Sequence, residues 1–113
     1  MIRHNSLFKF KECTSNELIG EIVRRFRELA NTAPSIREMV VGENIGDSPD
    51  NFDISSCIHF DSLDGYREYV QNPSHMQFVR DYLLPNLQSR VAAQIELDSA
   101  SSSDRSKARA EHT

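Results

Sequence analysis

Apolar and polar side chains alternate along residues 2–11. Ile2, His4, Ser6, Phe8 and Phe10 fall on one side, and Arg3, Asn5, Leu7, Lys9 and Lys11 on the other. A period of two marks a strand with one buried face. His4 and Ser6 interrupt the otherwise apolar side, and ligand cavities are lined by such sparse, placed polar groups. The period then lengthens. Leu18, Ile19, Ile22, Val23, Phe26, Leu29 and Ala30 recur at helical spacing and predict an amphipathic helix. Thr14 with Glu17 reads as its capping box, and Pro34 helps to close it. Glu21, Arg24, Arg25, Arg27 and Glu28 fall mostly outside the stripe, as a solvated face.

Residues 36–44 read as a second strand centred on Met39, Val40 and Val41. The turn-rich run Gly46-Asp47-Ser48-Pro49-Asp50-Asn51 predicts a hairpin loop. The clearest alternation follows: Phe52, Ile54, Ser56, Ile58 and Phe60 against Asp53, Ser55, Cys57 and His59. Ser62 is placed to cap a helix whose expected inner stripe is Leu63, Tyr66 and Val70. Met76, Phe78, Val79, Tyr82, Leu83 and Leu87 continue at helical spacing, with Pro85 bending or ending that segment. Residues 91–97 form the last strand. Residues 99–113 hold no apolar side chain larger than Ala, which predicts a mobile tail beyond a domain of residues 1–98.

Strand, helix, strand, strand, helix pair, strand is an α+β order. It predicts the ferredoxin-like split β-α-β arrangement, a four-stranded antiparallel sheet with helices on one face. A chain of 113 residues buries a modest core. The sheet face carrying Asp53, Ser55, Cys57 and His59 is therefore expected inside the barrel of a homodimer.

The segment Tyr69-Val70-Gln71-Asn72-Pro73-Ser74-His75 carries the candidate chemistry. Pro73 disfavours helical geometry at Asn72 and suits the first turn of a new helix. Asn72 is then the cap. His75 lies in that first turn, where the dipole favours neutral imidazole, the form able to take a proton. Tyr69, one turn back, is close enough in sequence to offer a phenolic donor to the same cavity.

Composition narrows the partners. A net charge of −4 without a basic block weighs against nucleic acid. No apolar run approaches membrane-spanning length, and the chain opens directly into a strand pattern, so a cytoplasmic location is expected. Cys13 and Cys57 lack metal-ligand spacing and read as reduced thiols.

The opening Met-Ile-Arg-His…Leu-Phe-Lys-Phe-Lys, the corner Phe60-Asp61-Ser62-Leu63 and the segment Tyr69…Asn72-Pro73-Ser74-His75…Phe78 resemble the stress-responsive dimeric A/B barrel (Dabb) family over residues 1–97. Their order and separations carry the resemblance. It extends to the olivetolic acid cyclase-type polyketide cyclases, which close linear polyketides by aldol chemistry. The resemblance implies that Tyr69 and His75 match a catalytic pair and that His4 lines the pocket. Ser6, Phe8, Met39, Ile54, Ser56, Ile58 and Phe78 would form its wall. The chain departs from those cyclases at Asn5-Ser6, at Ile54 (a histidine there) and at Ser56 (an aliphatic residue there), which implies a more polar pocket.

Three functions follow as expectations. The first is a cyclase or lyase in which His75 removes an acidic proton beside a carbonyl and Tyr69 hydrogen-bonds the carbonyl oxygen, with no metal or organic cofactor. The second is a non-catalytic, stress-responsive dimer that binds a small molecule. A cofactor-independent oxygenase ranks last, because the chain lacks Trp and any distinctive oxygenase constellation.

Overall fold

The four predicted strands pair in one sheet in the computed structural model, which describes residues 1–97; the tail expected at Ser99–Thr113 lies outside them. The chain runs β1 (Ile2–Phe10), α1 (Asn16–Thr32), β2 (Ile36–Glu43), β3 (Ile54–Phe60), α2 (Leu63–Gln71), α3 (Pro73–Phe78), a π-helical turn (Val79–Leu83) and β4 (Leu87–Glu96). The strands form one sheet in the order β2-β3-β1-β4, and every adjacent pair is antiparallel. This is the ferredoxin-like arrangement, with β1 central and β4 at an edge.

The register assigns the faces. His4 lies opposite Ile58 and Gln94, Ser6 opposite Ser56 and Ala92, and Phe8 opposite Ile54 and Arg90. These positions face the helices. Beneath α1, Ile22, Val23, Phe26 and Leu29 join Phe8, Phe10, Val41, Ile54, Ile58 and Phe60 in one buried cluster. Burying each large aliphatic or aromatic side chain contributes about 1.5–3 kcal/mol, which makes this cluster the main stabilising feature of the fold.

The opposite sheet face is more apolar than the third strand alone suggests. Val40, Leu7, Val91 and Ile95 stand on it at 61%, 39%, 51% and 44% exposure. They flank a polar row in which Arg3 Nε donates to His59 Nε2 at 2.9 Å and His59 Nδ1 lies 3.3 Å from Glu38 Oε2. Asp53 is not part of this face. It precedes β3, and its carboxylate accepts from Phe10 N at 2.8 Å.

Several local expectations are corrected. The cap of α1 is Ser15, whose Oγ accepts from Leu18 N at 3.1 Å; Thr14 is one residue too early. Ala30 is exposed. Arg27 is not merely solvated, since Nε and a terminal nitrogen both donate to Val41 O, at 2.9 and 2.7 Å. On α2 the inward residues are Gly65, Tyr66 and Tyr69, whereas Leu63 and Val70 are exposed. Gly65 lies against Ser35 and Phe60, and an added Cβ would meet their Cβ atoms at 3.6 and 3.7 Å, in ordinary van der Waals contact. Leu87 begins β4 rather than continuing a helix.

Pro85 acts as its chemistry requires. It has no N–H, and its ring clashes with a helical carbonyl four residues back. The chain widens beforehand, with Leu84 N bonding Val79 O at 2.8 Å across five residues. Asn86 then closes the end: its side-chain amide donates to Tyr82 O at 2.8 Å and its N–H to Leu83 O at 3.1 Å.

Candidate active site

A cavity of about 370 Å³ lies between the helix-facing side of β1 and β4 and the layer formed by α2, α3 and the π-turn. Its polar lining is His4, Ser6, Tyr66, Tyr69, His75 and Arg90. The rest is apolar, with Phe8, Phe26 and Phe78 on one part and Val70, Val79, Leu83, Leu84 and Leu87 on another.

The α2–α3 junction sets His75. Asn72 is extended, at φ −61° and ψ 130°, as a residue before proline must be. Its Oδ1 accepts from Ser74 N at 2.9 Å and from His75 N at 3.4 Å, and its Nδ2 donates to Thr32 O at 3.3 Å. One side chain therefore caps α3 and ties it to the end of α1.

His75 Nδ1 lies 3.1 Å from Val70 O. A carbonyl oxygen only accepts, so neutral His75 carries its proton on Nδ1 and leaves Nε2 as the free base. The His75 pKa is lowered from 6.5, first by burial and further by the nearby Arg90 cation, with the Val70 hydrogen bond opposing both. Neutrality was expected from the helix end, but burial is the leading cause.

Tyr69 is 2% exposed, and its ring centre is 4.3 Å from that of His75. Phe60 packs against its ring at 5.4 Å. Burial raises the phenol's pKa, Arg90 pulls it back in part, and Tyr66 adds to the rise. Tyr69 is therefore a protonated donor at neutral pH. Its position needs no special backbone: α2 turns residue 69 toward the sheet three residues after Tyr66.

His4 is 5% exposed. Gln94 Nε2 lies 2.9 Å from its Nδ1, and Ser6 Oγ lies 3.4 Å from its Nε2. Donation from the Gln94 amide to Nδ1 leaves the ring proton on Nε2, directed at Ser6. Burial lowers the His4 pKa to about 4, with Arg90 and His75 adding to the effect. Both cavity histidines are thus neutral at pH 7.

The structure brings His4, Ser6, Phe8, Tyr69, His75 and Phe78 together around the cavity. Met39, Ile54, Ser56 and Ile58 lie outside its lining. They belong to β2 and β3, whereas the cavity opens over β1 and β4. Ile54 and Ile58 are core residues, Met39 packs on the core from β2, and Ser56 Oγ is buried without a hydrogen-bond partner among the described residues. Tyr66 and Arg90 were missed as site residues. Arg90 shares its face with Ala92 and Gln94, a parity visible once the last strand is extended back to Leu87. Among the described residues no three His, Cys, Asp or Glu side chains converge as metal ligands. No described helix is long and apolar enough to cross a membrane.

A comparison with curated proteins found no match. Among solved structures, the chain is similar to a dimeric ferredoxin-like protein of unknown function from Thermobifida fusca, at 26% identity over 85% of this chain and 90% of that one, TM-score 0.77. It is also similar to the hydroxynitrile lyase from Passiflora edulis, at 22% identity over 87% and 94% of the two chains, TM-score 0.76. A Dabb family protein from Mesorhizobium loti aligns at 18% identity over 86% and 97%, TM-score 0.72. The family model of the stress responsive A/B barrel domain (Dabb) matches residues 2–97, which is β1 through β4 in full. With the fold, the capped Tyr69–His75 junction and this match in agreement, the chain belongs to the Dabb family.

Proposed function

We propose that this protein is a cofactor-independent lyase or cyclase that acts on a carbonyl compound by His75/Tyr69 acid–base chemistry, and that it works as a homodimer. The observation that carries the proposal is a neutral His75 with Nδ1 committed to Val70 O and its ring centre 4.3 Å from that of Tyr69, both on one largely apolar cavity. His75 Nε2 takes the proton from a C–H beside the carbonyl, or from a hydroxyl, whose O–H electron pair forms the C=O while the adjacent C–C bond breaks and its pair leaves with a carbanion such as cyanide, which takes the proton back from His75 Nε2–H. In the first case the C–H electron pair moves onto the carbonyl oxygen as an enolate. Tyr69 O–H donates a hydrogen bond to that oxygen as charge develops. The enolate then attacks a second carbonyl, or is reprotonated by His75 Nε2–H. The solved relatives include a lyase and a monooxygenase, so the fold alone does not select the reaction; the side chains support acid–base chemistry. The homodimer is supported by the dimeric relatives and by the exposed Leu7, Val40, Val91 and Ile95 on one sheet face.

Two neutral probes test the reading: deuterium incorporation beside the carbonyl of benzylacetone in D₂O, and cleavage of mandelonitrile to benzaldehyde. At least one is expected to exceed the buffer rate. His75→Ala should lower that rate by ~10²–10⁴-fold. Saturable binding with no rate above buffer, or rates unchanged in His75→Ala, would favour the non-catalytic binding protein instead.

A further inference from the structure

Among the described residues, Arg90 is the only cavity-lining side chain with a permanent charge. No Asp or Glu among the described residues lines the cavity, both of its histidines are neutral, and burial keeps the Tyr69 phenol protonated at pH 7. The guanidinium stands over the Phe8 ring, with Cζ 5.8 Å from the ring centre. It is opposite Phe8 in the β1–β4 register, on the face shared with His4 and Ser6.

The other arginines among the described residues all have polar partners. Arg24, Arg25, Arg37, Arg67 and Arg80 pair with carboxylates. Arg27 donates to Val41 O, and Arg3 donates to His59. Arg90 has no such partner among the described residues. Its effect is felt across the cavity, because it lowers the pKa of His4, His75 and Tyr69 alike. A planar fork of N–H donors without a partner, at the edge of an apolar cavity, matches the geometry of a carboxylate.

We propose that Arg90 is a specificity-determining residue that anchors the carboxylate of an apolar oxo acid, holding its ketone toward Tyr69 and His75. The inference deepens the assignment of this cavity as the active site and rests on it. A carboxylate fixes one end of the ligand, the aromatic and aliphatic lining takes its body, and the ketone oxygen is left to the Tyr69 hydroxyl. Arg90 touches neither the reacting carbon nor the proton in transit, so its contribution is to binding and orientation. A carboxylate there also places a negative charge beside the cation that otherwise lowers the His75 pKa. His75 would then become a somewhat stronger base when the acid is bound than in the empty site.

The probe pair is 4-oxo-4-phenylbutanoate and its methyl ester, which differ by one charge. Calorimetric titration of the full-length protein is expected to show the acid binding about 10- to 100-fold more tightly than the ester, the range for a charge-assisted hydrogen-bonded pair. Arg90→Gln should remove that preference, with the acid weakened to the level of the ester. Arg90→Lys should keep part of it, because the charge remains while the fork is lost. His75→Ala should keep all of it. Equal binding of acid and ester by the natural protein, or a preference retained in Arg90→Gln with an unchanged melting temperature, overturns the proposal. So does loss of the preference in His75→Ala, which would make a histidine the anion's partner. The titration reads binding alone. A protein that holds the acid through Arg90 yet exchanges no protons would fail as an acid–base catalyst and keep the anchor.

Discussion

Buried neutral His4 makes the fold acid-sensitive in a defined window. Its pKa is lowered from 6.5 to about 4, chiefly by burial. Below pH 6.5 the unfolded chain therefore binds a proton at His4 that the folded chain refuses until about pH 4. Protons in that interval favour unfolding, so the stability His4 confers is fully present above pH 6.5 and is lost as pH falls toward 4. A fall from 6.5 to about 4 corresponds to ~3 kcal/mol at full effect. From the same two pKa values, about 1 kcal/mol should be gone by pH 5.5 and about 2–3 kcal/mol by pH 4.5, relative to pH 7.5. Urea unfolding at these pH values measures the loss, and carboxylate titration contributes a common background. His4→Gln and His4→Phe each remove the titrating group, so the natural protein minus either variant isolates the histidine. Both variants should lose stability at pH 7.5, but their profiles should be flatter between pH 6.5 and 4.5. A variant profile parallel to that of the natural protein would mean that His4 is solvated or already charged, and would refute the neutral, desolvated cavity.

Asn72→Ala removes the cap of α3 and the tie to Thr32, and should cost about 1–2 kcal/mol in urea unfolding. Ser56→Ala deletes a buried hydroxyl without a partner and should raise stability by about 1 kcal/mol; a loss of similar size would show that Ser56 is hydrogen-bonded after all. Val91→Glu puts a charge on the exposed apolar sheet face, and light scattering at micromolar concentration should show it converting a dimer into a monomer. Tyr69→Phe keeps the ring against Phe60 and deletes only the donor, so it should fold normally while slowing turnover by ~10²–10³-fold.

The sheet was legible because β1 and β3 alternate strictly, and a half-buried strand must do so. The Asn72-Pro73 junction was legible because proline and a capping side chain act locally. What failed depended on neighbours. Leu63 and Val70 outrank Gly65 and Tyr69 in hydrophobicity, but α2 buries the face whose Tyr66 and Tyr69 rings pack on Phe60, at 5.8 and 5.4 Å between centres. The start of β4 was hidden because every residue from Gln88 to Glu96 is exposed, so burial imposes no alternation on the sequence there. For the site, the chemistry of Tyr69 and His75 could be read from one segment. The wall could not, because only the strand order places β4 beside β1. That order brings Arg90 to the cavity and leaves Met39, Ile54, Ser56 and Ile58 on the other half of the sheet.

The central claim is that His75 waits as a neutral base with Nε2 free toward the cavity. Imidazole nitrogen-15 shifts report both protonation and tautomer for each ring without any substrate. A long-range proton–nitrogen spectrum of the uniformly labelled protein at pH 7, with His75→Gln to assign the ring, should show His75 protonated on Nδ1 alone and an unprotonated Nε2. Titration downward should find its pKa below 6.5. An imidazolium at pH 7, or a neutral ring carrying its proton on Nε2, would contradict the account.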